Sequence, residues 1–312
     1  MVHQLLRRIL ISIPLIVVVS LLTFVLQAFI PGNAAMTILG VTATRQQYQE
    51  LDNQLHLNEP VWTQYVRYMS SAVRGNLGTS IFTGEPVLTS LLRALPVTLS
   101  LVCLATLLCA GAGVLLGMAS AIRGGLVGRV VNTVSVLGFA LPNFWVGLML
   151  IYGLAIAVPL FPATGYVSFG VSPSEWLASL VLPALALGLG GIAGVAKMTQ
   201  DGMLEALDSD YIRTLRACGA SRWSVLWKHA LRNASTSVLT VIGLIFVGML
   251  SGSVVIENVF ALPGLGSLAV SAVTQHDIPV VEGVAIAFTV LVIVSNTLID
   301  FLQALLNPKV RA

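Results

Sequence analysis

Four histidines, three cysteines and 13 carboxylates are the groups with which this 312-residue chain could do covalent or acid–base chemistry, and their spacing suits none. A metalloprotease helix needs two histidines one turn apart around a glutamate, yet none of His3, His56, His229 or His276 is followed by Glu. No Gly-x-Ser-x-Gly elbow occurs. A P-loop needs Gly-Lys-Ser/Thr, but Lys197, Lys228 and Lys309 follow Ala196, Trp227 and Pro308. Cys103, Cys109 and Cys218 are too few for a four-ligand metal site or a disulfide framework. The cluster from Gly188 to Gly194 superficially meets a dinucleotide pattern, but it sits inside an apolar run rather than after a soluble strand. Close helix packing is the better reading. What remains is basic and aromatic: Arg213, Arg216, Arg222, Lys228 and Arg232, interleaved with Trp223 and Trp227 and preceded by Tyr211.

The elements that must carry this cluster are apolar. Only 9% of the residues are charged, 56% are hydrophobic and the mean hydropathy is +0.92, too much apolar surface for a globule in water to hide. The chain belongs in a bilayer. A spanning helix needs about 20 mostly apolar residues. Six runs qualify, 9–30, 96–122, 130–158, 176–196, 238–256 and 283–299, and none contains Asp, Glu, Lys or Arg. Allowing the helices their ends, the expected spans are 9–30, 96–122, 130–158, 176–197, 237–256 and 283–305. The first run is too long for a signal-peptide core and reads as an uncleaved anchor. Basic residues set the orientation. With the N-terminus in the cytoplasm, Arg7, Arg8, Arg123, Arg129, Lys197, Lys309, Arg311 and the whole basic cluster lie inside. Only Arg45, Arg67, Arg74 and Arg93 then lie outside, so both termini (1–8 and 306–312) are placed in the cytoplasm.

Two of the loops are long. The external region 31–95 contains Glu59-Pro60 followed by Trp62, Tyr65, Val66 and Met69 at helical spacing, a surface helix expected at the outer face. The loop 257–282 is also external. The cytoplasmic loop 198–236 is a rigid protrusion. Asp208-Ser209-Asp210 caps a short helix, Gly219 stops it, and Ser221 caps a second helix carrying Trp223, Leu226, Trp227 and Leu231. Pro14, Pro142 and Pro183 predict kinked helices around a cavity, and Gly113/Gly117 and Gly248/Gly252 predict close packing. With no carboxylate or histidine in a span to carry a coupling charge, and no potassium-type filter, the chain has a pathway and a docking element but no source of energy. A partner must supply it.

The loop Asp210-Tyr211-Ile212-Arg213-Thr214-Leu215-Arg216-Ala217-Cys218-Gly219, continuing through His229-Ala230-Leu231-Arg232-Asn233-Ala234, resembles the signature loop of ABC importer permeases of the dipeptide/oligopeptide/nickel class. The resemblance covers nearly the whole chain. It includes Arg7-Arg8, Pro31-Gly32-Asn33, Gly75-Asn76-Leu77-Gly78-Thr79-Ser80, Leu95-Pro96-Val97-Thr98-Leu99, Leu141-Pro142-Asn143-Phe144-Trp145 and Leu182-Pro183-Ala184-Leu185. Further matches are Glu257 to Gly266 and Asn307-Pro308-Lys309-Val310-Arg311.

It implies an all-α integral membrane protein with six transmembrane helices in the type I ABC importer permease fold, its core at 96–305, in the inner membrane of a prokaryote. It further implies a non-catalytic subunit that pairs with a second related permease, sits on two ATPase subunits and receives substrate from an external binding protein. ATP and Mg are then used by the ATPase partners, and this chain binds no cofactor or metal. Residues 210–219 would be the coupling helix, with Arg213, Arg216 and Arg222 meeting acidic residues of a groove on the ATPase. Tyr211 and Leu215 would fill the groove's apolar floor, and Gly219 would permit a tight exit. Asn143, Phe144 and Trp145 are candidate pathway residues. The implied cargo is di- or oligopeptide, with nickel or a metal chelate as the alternative within the family. A stand-alone channel or ion-coupled carrier is the alternative outside it. Leu215 stands where the family carries alanine, Cys218 where peptide members carry lysine, and Asn33 where an Asp is commoner; the external segment 159–175 is short.

Overall fold

The computed structural model describes residues 2–30, 34–40, 43–55 and 57–306. Pro31-Gly32-Asn33, His56 and the Asn307–Arg311 segment lie outside the described residues. Among the described residues the elements are helical, apart from one isolated Thr79–Pro86 bridge. In order they are α1 (Val2–Ala28), α2 (Ala34–Leu39), α3 (Arg45–Gln54), α4 (Val61–Ala72), α5 (Val87–Arg123), α6 (Gly125–Ala140) and α7 (Asn143–Leu150). A π-helical segment, Ile151–Ala157, extends α7. Then come α8 (Pro173–Asp208), α9 (Asp210–Ala217), α10 (Arg222–Ser224), a second π segment (Val225–Ala230), α11 (Leu231–Val259), α12 (Leu265–Gln275) and α13 (Ile278–Leu306).

Helix starts follow local chemistry. Thr44 makes a reciprocal capping box with Gln47 at α3, and Ser172 caps α8 ahead of Pro173 in the first turn, where an absent N–H costs nothing. The expected third span is not one helix. Leu141-Pro142 divides it into α6 and the Asn143–Ala157 segment, each shorter than about 20 residues. Pro142 is extended, at ψ 134°. The residue before a proline is pushed out of the α region, and proline cannot donate to the preceding turn. Pro14 and Pro183 by contrast sit inside unbroken helices. Among the described residues, five helical stretches are long and apolar enough to cross a membrane: Ile11–Ala28, Val87–Arg123, Pro173–Asp208, Arg222–Val259 and Ile278–Gln303.

The chain forms two compact units. The first comprises 1–98 and 263–294. Its core joins Val87, Leu91 and Ala94 of α5 to Leu265 and Ala272 of α12 and Val280, Val281 and Val284 of α13. Gly283 permits the close approach, since a Cβ there would lie 2.4 Å from the Val87 side chain. The Leu265 N–H at the start of α12 donates to Thr98 Oγ1 at 2.8 Å, a cap supplied from another helix because Gly264 offers none. The expected surface helix is α4, and it is anchored on α1. Tyr65 stacks edge-on against Phe24 at 5.6 Å, and its hydroxyl lies 2.9 Å from Ser20 Oγ. Trp62 and Val66 stay exposed.

The Gly75–Ser80 motif folds into a tight loop through positive φ at Gly75 and Gly78. Ser80 Oγ ties it down by donating to the buried Asp277 carboxylate at 2.5 Å. Asp277→Ala should therefore release the loop at a cost of about 2 kcal/mol, the worth of a hydrogen bond to a charged group. The check is faster protease cleavage between residues 73 and 86, with membrane insertion unchanged.

The second unit comprises 99–262 and 295–312, with α8 packed against α6, α7 and α11. The glycine-rich stretch of α8 serves close packing, as expected. A Cβ on Gly191 would fall within 3 Å of Cys109, Ile245 and Met249, and the Cys109 thiol donates to Gly188 O at 3.0 Å. Gly113 and Gly117 of α5 lie against Val195, Ala196 and Thr199 of α8. In α11 the tight glycines are Gly243, against Ile299, and Gly252, against Leu187; Gly248 meets nothing within 4 Å.

Candidate functional site

The basic loop begins as a continuation of α8, which runs past its apolar stretch to Asp208. Lys197 and Asp201 pair across one turn on its exposed surface at 2.8 Å. At Ser209 the backbone turns extended and α9 starts in a new direction. Ser209 acts by position, because its hydroxyl donates back to Ala206 O rather than capping α9. Arg213 bridges the corner, reaching Asp208 at 3.1 Å and Asp210 at 3.4 Å. Such exposed pairs contribute at most about 1 kcal/mol each, so they orient α9 more than they hold it. The anchor is Ile212, fully buried.

That one buried residue fixes the register of α9. Arg216, four residues on, shares the Ile212 face. It lines a cavity with Ile122 of α5, Leu207 of α8 and Arg222. Asp210, Thr214, Ala217 and Cys218 occupy the opposite face and are exposed, with exposed Tyr211 and Arg213 on the flanks. Leu215 is half-buried. The face of α9 opposite Ile212 thus carries short side chains, with the larger exposed Tyr211, Arg213 and Arg216 around it. Arg213, Arg216 and Arg222 are all exposed; Arg213 is paired within the corner, and Arg216 and Arg222 border the cavity from its open side.

The stop is a Schellman motif. Gly219 has φ +84°, its N–H donates to Arg216 O at 3.1 Å, and the Ala220 N–H donates to Leu215 O at 3.0 Å. Ser221 then accepts from the Ser224 N–H at 3.2 Å and opens the next helix. From Arg222 the helix runs unbroken through the π segment to Val259. Four residues, Cys218 to Ser221, therefore separate α9 from a helix long and apolar enough to cross a membrane. Trp223 and Trp227 pair on this rising helix with ring centroids 5.1 Å apart.

Among the candidate pathway residues, Asn143 reaches a cavity of about 240 Å³ in the second unit. Gly138, Gly190, Gly191 and Gly248 line it, where the Pro142 break opens the helix wall. Phe144 and Trp145 are nearly half exposed on the other side of α7 and do not line it.

Sequence reading missed three buried acids. Glu257, Asp277 and Glu282 lie just beyond the apolar runs, yet all three are at most 3% exposed. The expectation that spans carry no ionisable group fails at α13. That helix begins at Ile278, so Glu282 falls inside it and inside the Ile278–Gln303 stretch. Asp277-Ile278-Pro279 is a helix-start pattern that could have signalled the earlier beginning. Burial pushes the Tyr68 phenol of α4 well above its ordinary range, and the Glu282 carboxylate adds to the effect.

The model of the family "Binding-protein-dependent transport system inner membrane component" matches residues 113–312, and that of its N-terminal region matches 1–102. The probable peptide ABC transporter permease protein y4tP of Sinorhizobium fredii is 39% identical over 307 residues, covering 98% of each chain. The oligopeptide transport system permease protein AppB of Bacillus subtilis is 34% identical over 99% of each chain. The di/tripeptide permease DppB of Pseudomonas aeruginosa is 36% identical over 98% of this chain and 97% of its own. Among solved structures, the MetNI methionine ABC transporter in inward-facing form aligns with a TM-score of 0.56 at 17% identity, covering 72% of this chain and 99% of that one. An amino acid ABC transporter crystallised with histidines aligns at 0.52 and 18%, covering 69% and 93%.

Proposed function

Because the chain belongs to the family of binding-protein-dependent transport system inner membrane components, we propose that it is the permease subunit of an ATP-driven importer of di- or oligopeptides. The observation that carries this is the family match along both parts of the chain, joined to full-length relatives named as peptide permeases. Those names favour peptides over nickel or a metal chelate. In this reading the chain forms half of a pathway with a second related permease, and two ATPase subunits supply the energy from ATP and Mg. An external binding protein delivers the cargo. The chain itself is non-catalytic and binds no cofactor.

Helix α9 is then the coupling element. Its small outward face, Thr214, Ala217 and Cys218, admits close approach to a groove, and Tyr211 and Arg213 grip from the flanks. Ile212 and Leu215 seat it on its own chain. Closure of the ATPase pair displaces α9, and the Gly219–Ser221 junction passes the movement straight into α11. We read α6 and the Asn143–Ala157 segment together as one crossing, giving six, with both termini in the cytoplasm of a prokaryotic inner membrane.

In vesicles the chain alone should carry no labelled peptide. Uptake should require the second permease, the ATPase subunits and ATP. Peptide flux through the chain by itself, or flux indifferent to ATP, would assign it instead to a channel or ion-coupled carrier.

A further inference from the structure

Two cavities lie side by side in the first unit, between α1, α4 and the start of α13. One of about 270 Å³ is bordered by Gln27, Val61 and His276, and one of about 230 Å³ by Tyr68, Asn76 and Pro279. Phe24, Leu57, Gln64 and Ile278 border both, so the two form a single trough. Three polar side chains on its walls have no hydrogen-bond partner among the described residues. They are Gln27 through both amide atoms, His276 through both ring nitrogens and Tyr68 through its hydroxyl, and all five atoms are buried. Gln27 as a whole is only 8% exposed. Native proteins hold few such groups, because each has given up water and gained nothing in return. Three around one trough point to something that pairs with them there.

The chemistry of the walls narrows what that is. An amide and a phenol both donate and accept, as does a neutral imidazole. Glu59 and Arg67, the ionic groups on the walls, hold each other at 2.6 Å. Glu282 is also buried without a partner, but it borders neither cavity. A ligand that fits is therefore uncharged where it touches the trough, offers donors and acceptors in alternation, and has apolar parts for Phe24, Leu57 and Ile278. An extended peptide backbone meets all three conditions. An acyl chain would leave the five polar atoms unpaired, and an ionic headgroup would find its counter-charge already taken. Each cavity approaches the lower end of small-ligand pockets, about 300 Å³, which is room for a short stretch of backbone and not for a folded element.

We propose that this trough is a peptide-binding site in its own right, distinct from the cavity that Asn143 borders. It holds the middle of an unfolded oligopeptide, whose backbone amides pair with Gln27 and His276 in one half and with Tyr68 in the other, while its charged ends stay outside. The inference rests on the reading that peptides reach this chain from outside. Gln27 stands in the last turn of the Ile11–Ala28 stretch and Ile278 opens the Ile278–Gln303 stretch, span ends that the proposed orientation makes external. Polar groups kept unpaired at a cost to stability are then a surface prepared for a ligand.

The test uses the full chain, purified in neutral detergent and dialysed to equilibrium against radiolabelled N-acetyl-tetra-alanine amide, a peptide with both ends blocked and no charge. The probe should bind saturably. Gln27→Met, which keeps the side chain's length and removes its amide, should weaken binding about tenfold, and so should Tyr68→Phe, each the effect of one lost hydrogen-bonding group. Both variants should unfold at a temperature no lower than the wild type, since each removes an unpaired buried group. Weaker binding without lost stability is a combination that a merely structural role would not produce. The same probe methylated at every amide nitrogen keeps its apolar surface but has no N–H, and should bind about tenfold more weakly or worse. Absence of saturable binding overturns the proposal, as does binding that Gln27→Met and Tyr68→Phe leave unchanged. Equal competition by glucose would also overturn it, by making the trough a site for any neutral polar solute. The ATPase subunits take no part in this measurement, so its failure leaves the importer reading standing, and ATP-independent flux in vesicles would sink that reading while leaving the bound probe in place.

Discussion

Replacing Gly219 with valine is expected to cut peptide uptake by about tenfold or more while the chain still inserts and the ATPase subunits still hydrolyse ATP. The reason is conformational. Gly219 stands at φ +84°, and a Cβ there would meet nothing within 4 Å, so no packing clash confuses the result. A β-branched residue costs about 1–2 kcal/mol in the left-handed region. The chain escapes that cost by surrendering the Ala220-to-Leu215 and Gly219-to-Arg216 hydrogen bonds and turning out of α9 along another path. A change of about 1.4 kcal/mol in a two-state equilibrium is a factor of ten. Gly219→Asn, which tolerates positive φ, should recover most of the uptake. ATP hydrolysis and uptake measured on the same vesicles make the comparison. Normal uptake by Gly219→Val would mean that the exit from α9 transmits nothing.

The second large effect is on stability. Gly117→Val should cost about 3 kcal/mol or more, at the upper end of what overpacking does to a close-packed interior. A Cβ at Gly117 would lie 2.4 Å from Ala196 O, 2.6 Å from Thr199 Cβ and 3.1 Å from Gln200 N. Two of those three atoms are backbone and cannot swing aside, so α5 and α8 must separate. Gly153→Ala, with open space around it, is the matched control and should be nearly neutral. Thermal unfolding of the purified chain, followed by the loss of a monodisperse elution peak, reads both. Equal stability of the two variants would show that the α5–α8 contact is looser than described.

What could be read from the residues was whatever local chemistry decides. Gly219 as a stop, Ser221 as a cap and the glycine run of α8 as a packing surface each depend on a few neighbours, and each stands where spacing placed it. The orientation of Arg216 was not readable. It follows from Ile212 being the buried residue of α9, which depends on what α8 and the Val225–Ala230 segment present to it. Pro14, Pro142 and Pro183 show the same boundary. Pro14 and Pro183 leave their helices whole and Pro142 ends one, although all three sit in similarly apolar sequence. Whether a freed carbonyl finds another partner is a tertiary matter. Glu282 escaped notice because hydropathy marks where apolar residues begin, and α13 begins one turn earlier.

The broken segment at Leu141-Pro142 also alters the electrostatics of a region without a formal charge. A helix carries roughly half a positive charge at its N-terminus and half a negative charge at its C-terminus, from peptide dipoles that the next turn no longer cancels. The α6 C-terminus and the α7 N-terminus meet at this break, and Gly138 and Asn143, on either side of it, border the same cavity. Carbonyls without a next turn face one way and amides the other. Any group that enters this cavity meets a fixed dipole rather than an ion, one that neither pH nor mutation of any charged residue would remove.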